Sequence, residues 1–208
     1  MISVPVYNMQ GKALAPVEVE ESRLGGEVRE HLLREAVHMY EMNRHVYTKA
    51  SLSRSQVAGT TRKMYRQKHT GNARAGQRTV PHRKGGGVTF AHRPRDLTYH
   101  LPRKARRQAA RSALLSRLQD GVVCLVDEMK LDEPKTRLVA QCLKAIGVEG
   151  RCLLACNGDD AMIWKSGRNI GGLTVRRAAD LNAYDLLEPD RLVFTRAAFD
   201  ALMEALAS

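Results

Sequence analysis

Residues 121–160 read GVVCLVDEMKLDEPKTRLVAQCLKAIGVEGRCLLACNGDD. The two apolar runs in this stretch, residues 122–126 and Cys152–Cys156, have the length of short buried strands, and residues 134–146 between them follow the 3.6-residue period of an amphipathic helix. The side chains that we expect to face inward from this helix are Leu138, Cys142, Leu143 and Ile146. A strand, a helix and a second strand in succession are typical of parallel strands joined by a crossover helix.

The same alternation continues on both sides of this stretch. Further strands are predicted at Ile2–Tyr7, residues 173–175 and residues 191–194. Helices are predicted over residues 27–42, from Pro102 to Leu118, over residues 161–165 and 184–187, and from Thr195 as a capping residue to Ala207. We therefore expect an α/β fold with a largely parallel, Rossmann-like sheet and crossover helices.

Length and composition exclude several classes of protein. With 208 residues, 43% of them hydrophobic, the chain can bury a core. Its longest apolar runs hold five residues, whereas a membrane span needs about 20, so we expect no membrane partner. The first residues do not resemble a signal or transit peptide. Four Cys without a CxxC motif indicate reduced thiols, and we expect a cytoplasmic protein.

The positive charge is concentrated in one segment. The whole chain has a formal charge of +12, but residues 44–111 contain 18 Lys and Arg against one acid, Asp96, which amounts to +17. The remaining residues sum to −5. A basic segment of this size repels itself unless a partner neutralises it, so the pattern indicates a polyanionic partner.

Residues 44–101 also lack the pattern of a folded core. Aliphatic side chains are sparse there, neither helical nor strand periodicity persists, and glycines and prolines interrupt the segment throughout. A structureless connection of this length is usually functional. We predict a long extended basic loop, called the arm (residues 44–101), inserted between the first two helices of a globular α/β body made of residues 1–43 and 102–208.

The residues do not support enzyme chemistry. The strand ends read Asp127-Glu128 and Asn157-Gly158-Asp159-Asp160, which would repel a phosphate, and no GK[ST] motif follows Gly85, Gly86 and Gly87. The cysteines are predicted to pack in the core, and the histidines of the arm lack metal-ligand spacing. We expect no catalytic residue, no metal and no cofactor.

Within the arm, cations alternate with glycines and with Tyr65. Arginine forks bind phosphates, glycines allow close approach of a backbone, and an aromatic ring can stack on an unpaired base. This pattern favours RNA binding. Two alternatives remain open at this point: an RNA-modifying or nucleotide-dependent α/β enzyme that uses the arm to grip RNA, and a regulatory protein that binds messenger RNA or DNA.

Several motifs together resemble the universal ribosomal large-subunit protein four family. Residues 63–76, KMYRQKHTGNARAG, are similar to the bacterial signature KPWRQKGTGRARxG. Residues 81–90, PHRKGGGVTF, and then Arg93-Pro94-Arg95, resemble its P-x-W-R-x-GG-V-x-F and P-x-R elements. Leu101-Pro102-Arg103-Lys104 resembles the start of its next helix. The departures from the usual glycine, arginine and two tryptophans are His69, Asn72, Tyr65 and His82.

The resemblance implies a structural constituent of the large ribosomal subunit, and no enzyme. It implies an early assembly protein whose partners are large-subunit rRNA, neighbouring large-subunit proteins and the nascent peptide. The residues expected to bind rRNA are Arg44, Lys49, Arg54, Arg62, Lys63, Tyr65, Arg66, Lys68, Arg74, Arg78, His82, Arg83, Lys84, Arg93, Arg95, Arg103, Lys104, Arg106, Arg107 and Arg111. Those expected to line the constriction of the exit tunnel are Gln67, Lys68, His69, Thr70, Gly71 and Asn72.

Overall fold

A computed structural model describes residues 1–131, 133–158 and 160–207. The chain divides into two compact units. One contains residues 1–41 together with residues 100–208, and we call it the body unit. The other, Met42–Tyr99, is called the arm unit. Asp159, one of the acidic residues expected at a strand end, lies outside the described residues.

The body unit is built on a six-stranded, mostly parallel sheet. Its strands are β1 (Ile2–Tyr7), β2 (Ala13–Val19), β3 (Val123–Val126), β4 (Cys152–Cys156), β5 (Leu173–Arg177) and β6 (Arg191–Thr195). They lie in the order β2-β1-β3-β6-β4-β5, with β1 and β2 antiparallel and every other neighbouring pair parallel. The predicted α/β class with a largely parallel sheet is confirmed.

Six helices accompany the sheet: α1 (Glu30–Arg44), α2 (Arg103–Gln119), α3 (Thr136–Ile146), α4 (Ala161–Gly167), α5 (Ala183–Leu187) and α6 (Arg196–Ala207). The alternating side chains of the inner strands separate two apolar clusters. In β3, for example, Leu125 belongs to the cluster that α2 and α6 cover, whereas Val126 belongs to the cluster that α3 and α4 cover. Successive side chains of an inner strand point to opposite faces of the sheet, so each inner strand contributes apolar side chains to both clusters.

Strand β2 is absent from the sequence-based prediction. Ala13–Val19 contains few buried residues and an internal proline, so it lacks the apolar run that identified the other strands. It forms at the edge of the sheet because residues 8–12 turn the chain back onto β1, with Gly11 at φ 81° and Lys12 N donating to Asn8 Oδ1 at 2.8 Å. An edge strand needs partners on one side only, which makes its sequence signal weak.

The buried face of α3 differs from the predicted one by one position. Val139, Cys142 and Leu143 are buried and Ile146 packs beside them, whereas Leu138 is 39% exposed. These four inward residues have the spacing i, i+3, i+4, i+7, which places them on one helical face. Leu138 precedes that face by about 100° of rotation, so its predicted inward position is wrong.

Candidate nucleic-acid interface

The arm unit has no helix and no regular strand between Arg44 and its end at Tyr99. Hydrogen bonds nevertheless join the segment that leaves α1 to the segment that returns toward Tyr99. Arg95 N donates to Tyr47 O at 3.3 Å, and Val88 N donates to Leu52 O at 2.8 Å. Between them, Ser51 N donates to His92 O at 3.0 Å and His92 N donates to Ser51 Oγ at 2.8 Å. The unit is therefore an irregular hairpin with a defined backbone path.

Two of the three consecutive glycines mark the point where the arm unit packs against its own backbone. A Cβ atom on Gly87 would lie 2.3 Å from Arg54 N, and one on Gly86 would lie 2.0 Å from Val80 O. No side chain fits at such distances. The sequence pattern led us to expect glycines that approach RNA closely, but these two are required by close packing within the chain itself.

The six residues expected to line the exit tunnel form the tip of this hairpin. Met64 N donates to Gly76 O at 3.2 Å, and the Tyr65 hydroxyl donates to Ala73 O, so the two sides are tied just behind the tip. Arg66 Nη2 donates to His69 O at 2.8 Å. Of the tip residues all except half-buried Thr70 are exposed: Gln67, Lys68, His69, Gly71 and Asn72.

The backbone conformation at His69 explains why the family signature usually has glycine at this position. The φ of His69 is 64°, and it is the one non-glycine residue with positive φ in the described chain. Left-handed backbone disfavours a residue with a Cβ atom, which accounts for the usual glycine at this position. Gly71, at φ 70°, supplies a second left-handed position in the tip.

The predicted rRNA-binding side chains are exposed with three exceptions. Tyr65, Arg83 and Arg111 are half-buried, and the others present their charged or polar ends to solvent. The Arg95 guanidinium lies 5.9 Å from the ring centroid of Tyr47. The arm unit contains 13 Lys and Arg and a single acid, Asp96, so its formal charge of +12 equals that of the whole chain.

A second group of cations belongs to the body unit, at the start of α2. Arg103, Lys104, Arg106 and Arg107 are exposed and line a cleft of about 470 Å³. The helix has no acidic residue in its first turn and no side-chain cap, so the cations face the positive end of its dipole. An external anion would relieve this repulsion, as the sequence predicted.

Arg111 differs from the other cations of α2. Its Nε donates to Leu206 O in the last turn of α6. Arg117, which the sequence analysis did not single out, makes a comparable structural contact: its Nε donates to Leu186 O at 3.1 Å and its Nη2 to Pro189 O at 3.0 Å. Both arginines satisfy carbonyl groups where other elements end, a role that residue type and spacing alone do not reveal.

The four cysteine thiols of the body unit are buried and have raised pKa values. Burial raises the pKa of the Cys124 thiol to about 11 and those of Cys152 and Cys156 to about 12, and Cys142 shifts in the same direction. All four are buried, which confirms their predicted core position. Within the described residues no cluster of His, Cys, Asp and Glu suits a metal ion, and no described helix is long and apolar enough to cross a membrane.

Comparison with known proteins identifies close relatives along nearly the whole chain. Residues 17–205 match the family described as Ribosomal protein L4/L1 family. Large ribosomal subunit protein uL4 of Rhodopirellula baltica is 43% identical over 205 residues, which cover 98% of this chain and 92% of that protein. The proteins of the same name from Symbiobacterium thermophilum and Moorella thermoacetica are each 40% identical, over 206 and 207 residues, and are covered completely.

Proposed function

Because the chain belongs to the ribosomal protein L4/L1 family, we propose that residues 44–101 form an arm that binds large-subunit rRNA and that residues 1–43 and 102–208 form the Rossmann-like body that anchors it. The protein is a structural constituent of the large ribosomal subunit and no enzyme, and it acts in the ribosome, in the cytoplasm. Its partners are rRNA and other ribosomal proteins. The hypothesis of an α/β enzyme is therefore wrong.

The distribution of charge is the observation that carries the proposal. The arm unit has a formal charge of +12, whereas the body unit, with equal numbers of acidic and basic residues, has none. Each phosphate that a cation neutralises releases condensed counterions, which is the main driving force for protein binding to a nucleic-acid backbone. The arm cations neutralise phosphates and so reduce repulsion between the RNA segments that surround them.

The body unit adds a second contact through the start of α2. The first turn of α2 has no side-chain cap, and four basic residues at this end of the helix line one cleft. The first N–H groups of a helix have no partner within the helix. This arrangement is typical of anion binding at helix N-termini. We assign it to rRNA phosphate, with Arg103, Lys104, Arg106 and Arg107 as the contacting residues.

We assign the tip, residues 67–72, to the wall of the nascent-peptide exit tunnel. Support comes from its place at the end of the hairpin, from its exposure, and from the family signature that surrounds it. Exposed Gln67 and Asn72 offer amide groups to a passing peptide, whereas Lys68 supplies a positive charge beside it. In this proposal the protein joins the subunit early, because its arm is surrounded by RNA.

The proposal is tested by the salt dependence of binding to large-subunit rRNA transcribed in vitro. One variant of the full chain replaces four exposed arm cations by Gln: Arg62, Lys63, Arg74 and Arg78. A matched control replaces four exposed body cations: Lys12, Arg137, Lys144 and Lys165. A plot of log K against log salt has a negative slope, and its magnitude should decrease by roughly 0.7 to 0.9 for each lost phosphate contact in the arm variant. In the control the slope should stay unchanged. Equal slopes in both variants would refute the proposal.

A further inference from the structure

A groove of about 610 Å³ lies in the body unit between the second half of β2 and α6. Four apolar side chains form its floor. Val19 and Phe199 are buried in the cluster that α2 and α6 cover, and Val17 and Met203 are partly buried against the same cluster. The groove therefore offers an apolar surface that is continuous with the core of the body unit.

Carboxylates surround this floor. Glu18, Glu20, Asp200 and Glu204 line the groove and are exposed, whereas Arg23 is the single basic side chain among the lining residues described. Asp200 and Glu204 are four residues apart on α6 and lie on one helical face. Arg23 Nε is 3.8 Å from Glu20 Oε2. The lining side chains sum to a formal charge of −3, in a body unit that has no net charge.

The groove follows the open edge of the sheet. In the described sheet β2 has β1 as its single neighbour, and an edge strand directs every second N–H and C=O away from the sheet. Residues 17–19 all line the groove, although successive side chains of a strand point to opposite faces. Pro16 precedes them and has no N–H to offer. Residues 17–19 are therefore the part of β2 that a further strand can pair with.

The charge of the groove selects its occupant. Four carboxylates repel RNA phosphates, so the groove does not suit the polyanion that the arm unit attracts. A polypeptide segment in which apolar and basic residues alternate fits both the floor and the rim, and its backbone can pair with the strand edge. The chain's partners include other ribosomal proteins, and proteins that pack against RNA carry Lys and Arg to neutralise phosphates.

We propose that this groove docks an extended basic segment of a neighbouring protein of the large subunit, which adds to the sheet as a strand beside residues 17–19 of β2. Backbone hydrogen bonds hold the segment, its apolar side chains pack on the floor, and its Lys and Arg side chains pair with Glu18, Asp200 and Glu204. The proposal rests on the proposed function for the class of partner. It gives the chain a cationic arm for RNA and an acidic sheet edge for a protein.

Peptide binding to the full chain tests the charge of this surface. The probe is a short labelled peptide of alternating Lys and Val residues. The groove variant removes three carboxylates through Glu18→Gln, Asp200→Asn and Glu204→Gln, and a matched control removes three exposed carboxylates elsewhere on the body unit through Glu27→Gln, Glu41→Gln and Glu149→Gln.

The groove variant should bind this peptide roughly threefold or more weakly than the unchanged protein, since three exposed ion pairs are lost. The control variant should bind it like the unchanged protein. A peptide of alternating Glu and Val residues should bind to none of the three proteins. Equal binding of the Lys and Val peptide to both variants, or no binding to the unchanged protein, would overturn the proposal.

N-methylated peptides test whether the segment pairs as a strand. The apolar floor fixes which side chains of the peptide face inward, so the N–H groups of one residue type, Lys or Val, point to β2 and those of the other point to solvent. Methylation of the N–H groups that point to β2 should weaken binding roughly tenfold, whereas methylation of the other set should have little effect. Equal affinity of the two methylated peptides would contradict strand pairing.

Cross-linking in assembled subunits identifies the source of the occupant. The full chain carries photoreactive benzoylphenylalanine in place of Met203 and is reconstituted with rRNA and the large-subunit proteins. Irradiation should join it to a Lys- and Arg-rich segment of one other ribosomal protein, with a lower yield in the groove variant. The same probe in place of Leu138, which is exposed on α3 outside the groove, should not give this product. Cross-linking of position 203 to rRNA, to a second copy of this chain or to no molecule would overturn the proposal.

Binding of rRNA separates this proposal from the proposed function. The groove variant keeps every cation of the arm, so its affinity for large-subunit rRNA and its salt dependence should match those of the control variant. Weaker rRNA binding by the groove variant alone would show that the groove serves RNA and would overturn the proposal. If the arm variant keeps the salt dependence of the unchanged protein, the proposed function is wrong, whereas the peptide results still decide whether the groove binds a basic strand.

Discussion

The side-chain amide of Asn43 pairs with the backbone of Tyr99: it accepts a hydrogen bond from Tyr99 N at 2.9 Å and donates one to Tyr99 O at 3.1 Å. The two residues are 56 positions apart and stand at the two ends of the arm unit. One side chain thus completes the hydrogen bonding of the opposite backbone as a neighbouring strand would. This contact fixes the width of the arm unit where its two segments begin and end.

Replacement of Asn43 should loosen this end of the arm unit. Asn43→Ala removes both hydrogen bonds and leaves the Tyr99 amide to water, so its hydrogen exchange should accelerate roughly tenfold, corresponding to about 1 to 1.5 kcal/mol. Asn72→Ala, at the exposed tip, is the control and should leave the Tyr99 amide unaffected. Equal exchange in all three proteins would show that the pair contributes nothing to the stability of the arm unit.

Gly87→Ala should separate the two segments of the arm unit. Its Cβ would lie 2.4 Å from the Ser53 carbonyl carbon, so the hydrogen bond from Val88 N to Leu52 O must break. We expect protection of the Val88 amide from hydrogen exchange to be lost. Gly76→Ala is a matched control, because no atom lies within 4 Å of a Cβ at that position, and it should preserve the protection of Val88. Retained protection in Gly87→Ala would contradict the close packing described here.

The tip should tolerate glycine at position 69 better than a branched side chain. A left-handed backbone costs a residue with a Cβ atom about 1 to 2 kcal/mol, and a β-branched residue is the least suited to it. His69→Gly should therefore keep or raise protection of the tip amides from exchange, whereas His69→Val should lower it. Asn72→Val, at an exposed tip position without positive φ, tests whether branching alone has this effect. Similar exchange in the Gly and Val variants at position 69 would contradict the left-handed conformation.

The stability of the body unit should depend on the ring of Phe194. This side chain is fully buried and packs edge-on against Phe199, with ring centroids 5.7 Å apart. Phe194→Ala should lower the free energy of unfolding by about 3 to 5 kcal/mol, measured by denaturant titration. Phe90→Ala removes the same ring from a position that is 88% exposed and should change stability by less than about 0.5 kcal/mol. Equal effects would contradict the assigned core.

Alkaline pH should weaken the body unit through its thiols. Burial raises the pKa of Cys152 from 9.0 in the unfolded chain to about 12, so between these values the folded state binds more protons than the unfolded state. The free energy of unfolding must then fall as pH rises from about 9 toward 12. Urea midpoints at pH 8 and pH 10.5 measure this loss.

Two observations test whether the thiols cause that loss. Cys152→Ala should show a smaller decrease between the two pH values than the unchanged protein does, since one raised pKa is absent. At pH 8 an alkylating reagent should leave the native cysteines unmodified and label all four after denaturation, because thiolates are the reactive form. Rapid labelling of the native protein would contradict their burial.

Sequence reasoning identified most of the body because its inner strands are apolar on both faces. The runs that became β3, β4 and β6 carry that signal, and the helices between them show a clear period. Strand β2 carried no such signal and was missed, and Leu138 was assigned to the wrong face of α3. Both errors arose where burial depends on a neighbouring element: the pairing of β2 with β1, and the cluster beneath α3.

The amino-acid sequence by itself determined the class of fold, the concentration of charge between residues 44 and 111 and the family to which the chain belongs. These properties follow from composition, period and motif, which need no contacts between distant residues. Only the tertiary structure decided which residues of the arm form hydrogen bonds or close packing contacts with the backbone of the arm itself. Asn43 meets Tyr99, Gly87 passes Ser53, and Thr79 becomes buried only because a loop closes around it. Such roles depend on close approach between segments far apart in the chain, which local residue patterns do not encode.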